Sequence, residues 1–242
     1  MTAGMLLIHA FPMDARMWAP QRDALGAEVE IVAPDLPGFG GSSTPLPVLS
    51  MGAAADACLR AADGAGLERF AVCGLSMGGY VAFELWRMAR QRVAALILAN
   101  TRSEADTPEA ASGRRALAER LRAEGNGFLV ASPPPLLSEG APPALWERVR
   151  ETIADQPAES IASAALGMAE RRDSTPDLGA IDVPTLVVTS SADTLIPASV
   201  TAPIAAHVPG AELVTIPDAG HLSNLEAPAA FNEAVGGFLA GV

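Results

Sequence analysis

The chain has 242 residues, half of them hydrophobic and 18% of them charged, which suits one large α/β domain or a domain with an insertion. Its formal net charge of −12 argues against a nucleic acid or an anionic membrane surface as partner, because both attract basic clusters. All 16 basic residues are arginines, which excludes chemistry that depends on a Schiff-base lysine or a phosphate-loop lysine.

Cysteine usage and the N-terminal residues bear on the compartment. Cys58 and Cys73 are too few and too scattered for a disulfide framework or a zinc site, which favours free buried thiols. Residues 1–4 contain no basic residue before a short apolar run, so we expect no secretory signal. No stretch approaches the roughly 18 apolar residues of a membrane span. We therefore expect a cytoplasmic protein without a metal or a cofactor.

Short apolar runs alternate with longer stretches of helical spacing along the chain. An apolar run without polar alternation is typical of a strand that is buried on both faces of a parallel sheet. Helices between such strands provide the right-handed crossovers that a parallel sheet needs. The predicted strands are residues 5–9, 29–33, 70–73, 93–99, 184–189 and 211–216. The predicted crossover helices are residues 17–25, 51–66, 78–90, 198–207 and 228–240.

The alternation stops between residues 103 and 177, where no run is predicted as a strand. This segment contains helical stretches at residues 112–124, 144–154 and 158–172 and a proline-rich connection at 132–135. We interpret it as a helical cap, inserted between two core strands and placed like a lid over the ends of the sheet. Ordinary surface helices are the alternative. The predicted organisation is a core of residues 1–102 and 178–242 and a cap of residues 103–177.

The central motif is Gly74-Leu75-Ser76-Met77-Gly78-Gly79, which follows a predicted strand and precedes a predicted helix. A serine in the pattern G-x-S-x-G at such a junction is typical of a nucleophile elbow, a sharp turn that pushes the hydroxyl into a cleft. Gly74 and Gly78 would be small because a side chain at either position would collide with the neighbouring strand or helix. The alternative is a glycine-rich turn that only joins the two elements.

A serine nucleophile needs a base that takes its proton. His221 follows the last predicted strand and lies at the carboxyl edge of the sheet, where Ser76 also emerges. His207 ends a predicted helix, and His9 begins a turn that is better suited to supplying backbone donors. His221 is therefore the expected base.

The base needs a carboxylate that orients it, in a loop after a strand. Asp193 follows the predicted strand 184–189 and is the expected acid, although it could instead cap a helix or form a turn. Glu104 and Asp106, in the loop after the predicted strand 93–99, are the competing acids.

Together these features resemble the α/β-hydrolase superfamily, and within it the branch of lidded esterases and 3-oxoadipate enol-lactonases. The resemblance implies Ser76 as nucleophile, Asp193 as orienting acid and His221 as general base and acid. It also implies an oxyanion hole formed by the backbone N–H groups of Phe11 and Met77; Met77 opens a helix whose first N–H groups are unpaired. The resemblance spans nearly the whole chain and is carried by residues 9–12 with Trp18 downstream, 34–42, 74–79, 99–101, 191–197 and 220–221.

Two departures from the family pattern affect the expected structure. The usual His-Gly pair is His9-Ala10 here, which leaves the oxyanion loop less backbone freedom. An antiparallel strand pair normally precedes the first histidine, but eight residues do so here, so we expect a shortened, mostly parallel sheet of about six strands. The expected lining of the acyl pocket is Phe11, Phe128, Leu129, Met168, Leu195, Ile196 and Leu222, with core packing as the alternative for each.

The resemblance implies a serine-dependent carboxylic-ester hydrolase that forms an acyl-enzyme and acts on small, largely apolar esters. Enol-lactonase, C–C hydrolase and perhydrolase activities use the same triad and remain open, as does a non-catalytic ligand-binding protein on this fold. A lactonase for a carboxylate-bearing enol-lactone should place a basic side chain over the triad. The cap arginines lie among glutamates at spacings that suit surface ion pairs, so we expect neutral esters to be preferred. These arginines are Arg114, Arg115, Arg120, Arg122, Arg148, Arg150, Arg171 and Arg172.

Overall fold

Six parallel strands form one sheet in the computed structural model, which describes residues 4–42 and 45–242. The strands are β1 (Gly4–Ile8), β2 (Glu30–Val32), β3 (Phe70–Leu75), β4 (Val93–Ala99), β5 (Thr185–Ser190) and β6 (Glu212–Ile216). Their order in the sheet is β2-β1-β3-β4-β5-β6, and every neighbouring pair is parallel. The predicted α/β fold with a mostly parallel sheet of about six strands is confirmed.

Burial differs between the middle and the edges of the sheet. Almost all residues of β1, β3, β4 and β5 are buried, as expected for parallel strands with helices on both faces. The edge strands are less buried: only Glu30 of β2 is exposed and its other two residues are half-buried, whereas Glu212, Leu213 and Thr215 of β6 are exposed. The prediction of burial on both faces is wrong for these two strands, because each lies at the margin of the sheet.

Helices connect the strands and form the segment between β4 and β5. The α-helices of the described residues are α1 (Ala19–Leu25), α2 (Met51–Gly64), α3 (Met77–Met88), α4 (Pro108–Glu124), α5 (Gly127–Ala131), α6 (Pro143–Asp155), α7 (Ala158–Ala169), α8 (Ala198–His207), α9 (Ser223–Glu226) and α10 (Pro228–Ala240). None of them combines the length and the apolar character that crossing a membrane requires.

The segment 103–177 contains α4 to α7, and its role as a cap stays a prediction. α4 begins four residues before its predicted start, because Thr107 Oγ1 accepts the Ala110 N–H and Pro108 occupies the first turn. α5 was not predicted, since five residues are too few to show helical periodicity.

A buried glutamine connects this segment to the core. Gln156 Nε2 donates to Asp14 Oδ2 at 2.7 Å, and its Oε1 accepts the Gly40 N–H at 2.9 Å. Both partners belong to loops at the carboxyl edge of the sheet. The segment is therefore hydrogen-bonded to the edge where the motif residues lie.

Candidate active site

Ser76 lies at a sharp turn between β3 and α3. Its backbone has φ 57° and ψ −115°, a conformation that L-residues rarely adopt and that costs on the order of 1–3 kcal/mol. The Ser76 N–H donates to the Ala99 carbonyl at 2.9 Å, and Thr101 Oγ1 donates to the Ser76 carbonyl at 2.8 Å. The end of the neighbouring strand β4 thus holds the serine in its strained position.

Glycines allow the close backbone packing around this turn. A Cβ on Gly74 would overlap the Gly78 carbonyl, and a Cβ on Gly78 would overlap the Ile8 carbonyl. Both obstacles are backbone atoms, which cannot move aside as a flexible side chain can. The second contact brings the start of α3 against the end of β1, beside the segment that contains Phe11.

His221 and Asp193 form a buried pair at the carboxyl edge of the sheet. Asp193 follows β5, and His221 follows β6. Nδ1 of His221 donates to Oδ2 of Asp193 at 2.8 Å, and both side chains are 0% exposed. Nε2 of His221 has no hydrogen-bond partner among the described residues, so it is free to accept a proton.

The Asp193 carboxylate accepts four hydrogen bonds. Oδ1 accepts the N–H groups of Leu195 and Ile196 at 2.9 Å each, and Oδ2 accepts Asn100 Nδ2 at 2.9 Å besides His221. Burial raises the pKa of this carboxyl, but the hydrogen bond and charge of His221 and the hydrogen bonds from Ile196 and Asn100 hold the pKa below its usual value. Asp193 is thus an anion that fixes the Nδ1–H tautomer of His221.

Asn100 belongs to the segment 99–101 that carried the resemblance, but the sequence analysis gave it no role in the site. It is fully buried with φ 45°, directly after β4. Its Nδ2 also donates to Ser190 Oγ at 2.9 Å, and its Oδ1 accepts Ser223 Oγ at 2.8 Å. The available signal was its place after an apolar strand, at the edge where Ser76 emerges.

The other two histidines are engaged elsewhere. His9 is buried; its Nε2 accepts the Leu36 N–H at 3.1 Å, and its Nδ1 donates to the Ala10 carbonyl at 3.0 Å. Burial lowers the pKa of His9, which favours this neutral form. His207 is exposed at the end of α8, and its Nδ1 lies 2.7 Å from the Pro203 carbonyl oxygen.

The competing acids do not contact His221. Asp106 Oδ1 pairs with Arg171 Nη1 at 2.7 Å, and Asp106 Oδ2 pairs with Arg114 Nε at 2.5 Å. Burial raises the pKa of Asp106, but these two arginines hold the pKa below its usual value. Glu104 is exposed. Within the described ranges, no three His, Cys, Asp or Glu side chains are arranged to hold a metal ion.

The two predicted oxyanion donors are available. Among residues 4–42 and 45–242, neither the Phe11 N–H nor the Met77 N–H donates to a protein acceptor. Met77 is the first residue of α3, where the helix N-terminus carries partial positive charge. The assignment of an oxyanion hole to these groups stays a prediction.

Ser76 opens into a cavity of about 320 Å³. Most of the cavity wall is apolar, and charged side chains lie on part of it. The lining residues are Phe11, Ser76, Tyr80, Arg102, Asp106, Ala110, Arg114, Leu117, Pro134, Leu136, Met168, Leu195 and Ile196. The predicted pocket residues Phe11, Met168, Leu195 and Ile196 are among them.

Three predicted pocket residues lie outside this lining in the described part of the chain, and a role for them in the acyl pocket stays a prediction. The Phe128 ring packs under the Arg120 guanidinium, whose carbon lies 3.8 Å from the ring centre. Leu129 packs in the hydrophobic core. Leu222 is fully buried, and its N–H donates to the carbonyl of Leu136, which lines the cavity instead.

Two arginines of the predicted cap also differ from the expected surface ion pairs. Arg171 has a side chain that is 3% exposed, and Arg114 lines the cavity. Both bind the same carboxylate, that of Asp106. Other arginines of the segment 103–177 do form the expected surface pairs, such as Arg122 with Glu159 at 2.7 Å.

The parallel sheet, the serine on a tight strand-to-helix turn and the His–Asp pair at the same edge define an α/β-hydrolase. The model of the alpha/beta hydrolase family matches residues 5–234. The chain belongs to this family, and the resemblance that the motifs indicated is confirmed.

The relatives of this chain differ in activity, and they include an esterase, an enol-lactonase and an acetyltransferase component. The chain is 42% identical to a thermophilic esterase from Thermogutta terrifontis, solved with malate bound; the match covers 98% of this chain and 89% of that one, with a TM-score of 0.95. It is 29% identical to 3-oxoadipate enol-lactonase 1 of Acinetobacter baylyi, over 93% of this chain and 84% of that protein. It is also 30% identical to the dihydrolipoyllysine-residue acetyltransferase component of the acetoin cleaving system of Pseudomonas putida, over 97% of this chain, and spans 63% of that protein's length.

Proposed function

We propose that this protein is a serine-dependent carboxylic-ester hydrolase that acts on small esters through an acyl-enzyme. The observation that carries the proposal is the buried His221–Asp193 pair at the sheet edge where the strained Ser76 opens into a cavity. Strain at a single polar residue beside a cavity is typical of a functional position. The match to the Thermogutta terrifontis esterase supports the same chemistry.

In the proposed mechanism, Ser76 Oγ attacks the ester carbonyl carbon while His221 Nε2 takes the hydroxyl proton. The N–H groups of Phe11 and Met77 stabilise the oxyanion. The tetrahedral intermediate collapses, the leaving alcohol takes the proton from Nε2, and an acyl-enzyme remains. Water then attacks the acyl carbon and gives a proton to Nε2. The second tetrahedral intermediate collapses, Nε2 returns this proton to Ser76 Oγ, and the carboxylic acid leaves. Asp193 holds the imidazole and stabilises its cationic form throughout.

The substrate is a small molecule with an apolar part. Most of the cavity wall is hydrophobic, which supports binding of an acyl or alkyl chain. We propose that residues 103–177 act as the cap over this cavity, since α4 contributes Arg114 and Leu117 to its wall. The free, buried thiols of Cys58 and Cys73 support a reducing compartment such as the cytoplasm.

Hydrolysis of an enol-lactone is the second candidate, because one curated relative is a 3-oxoadipate enol-lactonase. Both reactions cleave an acyl–oxygen bond and use the same residues. A panel of 4-nitrophenyl esters of graded acyl length beside several lactones separates them by kcat/KM.

An active-site label tests the nucleophile. An organophosphonate is expected to label the protein once, at Ser76, and Ser76→Ala should abolish both labelling and ester turnover while the protein stays folded. Ser112→Ala, at an exposed position of α4, is the matched control and should keep both. Peptide mass spectrometry locates the label. A label at another residue, or full turnover by Ser76→Ala, would overturn the proposal.

A further inference from the structure

The wall of the Ser76 cavity carries more positive charge than negative charge. Arg102 and Arg114 line the cavity with Asp106, and Arg171 stands behind Asp106 as its second partner. Two of these three guanidinium groups pair with the Asp106 carboxylate, and that of Arg102 does not. Because arginine is always protonated in proteins, this part of the wall has a surplus of two positive charges. The chain as a whole has a net charge of −12, so this surplus is local.

Asp106 is already paired with two arginines, neither of which is Arg102. Each of its carboxylate oxygens already accepts a short hydrogen bond, Oδ1 from Arg171 and Oδ2 from Arg114. Arg171 is also satisfied by protein: it donates to the carbonyls of Met168 at 3.0 Å and Glu104 at 2.9 Å. These three charged groups form a closed structural network, and Arg102 stands outside it.

The Arg102 side chain has no ion pair and no hydrogen bond to any residue in the ranges 4–42 and 45–242. It is half-buried rather than freely solvated. The nearby Glu104 is exposed and does not line the cavity. An arginine that has lost part of its water and has gained no protein partner lacks the compensation that partly buried charges usually have.

The backbone around Arg102 is nevertheless firmly held. Thr101 donates to the Ser76 carbonyl at 2.8 Å, and its own carbonyl accepts Thr201 Oγ1 at 2.9 Å. On the other side, the Ser103 carbonyl accepts the Ser174 N–H at 2.8 Å. The backbone of Arg102 is thus fixed directly after Thr101, which contacts the nucleophile. All five N–H donors of the Arg102 side chain remain unused by the described protein.

We propose that Arg102 binds a carboxylate of the substrate, so that the enzyme prefers small esters or lactones that carry an anionic group at one end and an apolar body. The planar fork of a guanidinium matches the two oxygens of a carboxylate. This inference rests on the ester hydrolysis proposed above and replaces the expectation that neutral esters are preferred. That expectation considered the arginines of residues 103–177 and did not include Arg102.

Two pairs of substrates test the proposal, each differing in one charge. On the acyl side, monomethyl glutarate is compared with methyl 4-carbamoylbutanoate, in which an amide of the same shape replaces the carboxylate. On the alcohol side, 4-acetoxybutanoate is compared with 4-acetoxybutanamide. Acid release in a pH-stat gives kcat/KM for each. We expect the carboxylate substrate to be favoured at least tenfold in one of the two pairs.

Arg102→Gln should lower that carboxylate-to-amide ratio of kcat/KM by about 10- to 100-fold, the range of a hydrogen bond to a charged group. Arg115→Gln is the matched control: it removes the same charge from an exposed position next to Arg114 and should leave the ratio unchanged. Arg102→Met, of similar size and without charge, serves if the glutamine variant does not fold.

The possible failures are distinguishable. If wild-type protein hydrolyses both members of each pair equally well, the carboxylate subsite is refuted and the ester hydrolase stands. If Arg115→Gln lowers the ratio as much as Arg102→Gln does, the preference is a general field effect and the subsite is refuted. If folded wild-type protein hydrolyses none of the four substrates and no 4-nitrophenyl ester, the proposed function itself fails.

Discussion

Replacing Asp193 by asparagine tests how the acid acts on the base. The carboxylate accepts two hydrogen bonds on each oxygen, from the N–H groups of Leu195 and Ile196 on Oδ1 and from Asn100 and His221 on Oδ2. An amide of the same shape has one acceptor and one donor, so its NH₂ group must face one of these two pairs of donors. The consequences differ between the two orientations.

If the NH₂ faces the backbone N–H groups, both lose their acceptor, and the buried Ile196 N–H alone then costs about 1–3 kcal/mol. If it faces Asn100 and His221, the histidine can relieve the conflict by moving its proton from Nδ1 to Nε2. The second orientation is therefore favoured, and Nε2 can then no longer accept the proton of Ser76. The serine-protease template, in which the same change also produces the wrong tautomer, gives a loss of about 10⁴ in kcat, or about 5.5 kcal/mol.

The assay is kcat for a 4-nitrophenyl ester, with the thermal midpoint Tm as a check that the variant is folded. Glu104→Gln is the control, since it makes the same carboxylate-to-amide change at an exposed position, and its kcat should stay within about threefold of wild type. A loss of about 10⁴ in Asp106→Asn, with Asp193→Asn within about tenfold of wild type, would refute the reasoning. The orienting acid would then follow β4 rather than β5.

Two further predictions concern stability. Ser76→Gly should have a free energy of unfolding about 1 kcal/mol higher than that of Ser76→Ala. Glycine relieves about 1–3 kcal/mol of backbone strain, which exceeds its entropy cost of about 0.5–1 kcal/mol. Equal free energies of unfolding in urea titrations would argue against strain at this turn. Asp106 and Asp193 have lowered pKa values in the folded protein, so the unfolded chain binds more protons than the folded chain at acidic pH. Tm should therefore fall as the pH drops below about 4 and through the folded pKa values of these two carboxyls. Asp106→Asn should show a smaller change in Tm between about pH 5 and pH 3, and an unchanged pH dependence would contradict this contribution.

The parts of the fold that were predictable from sequence depend on local patterns. Buried strands such as β3 and β4 consist of continuous apolar residues, and their bounds agree with the prediction within two residues. The motif around Ser76 was recognisable because Gly74 and Gly78 each lie against backbone atoms, where a larger residue does not fit. Asp193 and His221 could be expected near each other because both follow parallel strands, whose carboxyl ends share one edge.

The cavity wall could not be predicted in the same way, because it depends on how helices from distant parts of the sequence pack. Phe128 and Leu129 are as apolar as Met168, yet α5 turns them toward Arg120 and the core. The charged wall was missed for a related reason. Arg114 lies on a helix whose sequence suggests surface ion pairs, and its partner Asp106 precedes the helix in a loop. The helical periodicity of the sequence gives no indication of a contact between a helix residue and a loop residue.

The residues that organise the site most directly are four consecutive positions at the end of β4. The Ala99 carbonyl accepts the Ser76 N–H, Asn100 binds Asp193, and Thr101 binds the Ser76 carbonyl. Arg102 then enters the cavity. Because β4 lies between β3, which leads to the serine, and β5, which leads to the acid, a short segment at its end can contact both. The same hydrogen bonds that hold the strained serine therefore also set the distances from Ser76 to Asp193 and to Arg102. A substitution at Arg102 can thus change the charge preference for substrates without disturbing the contacts to Ser76 or Asp193.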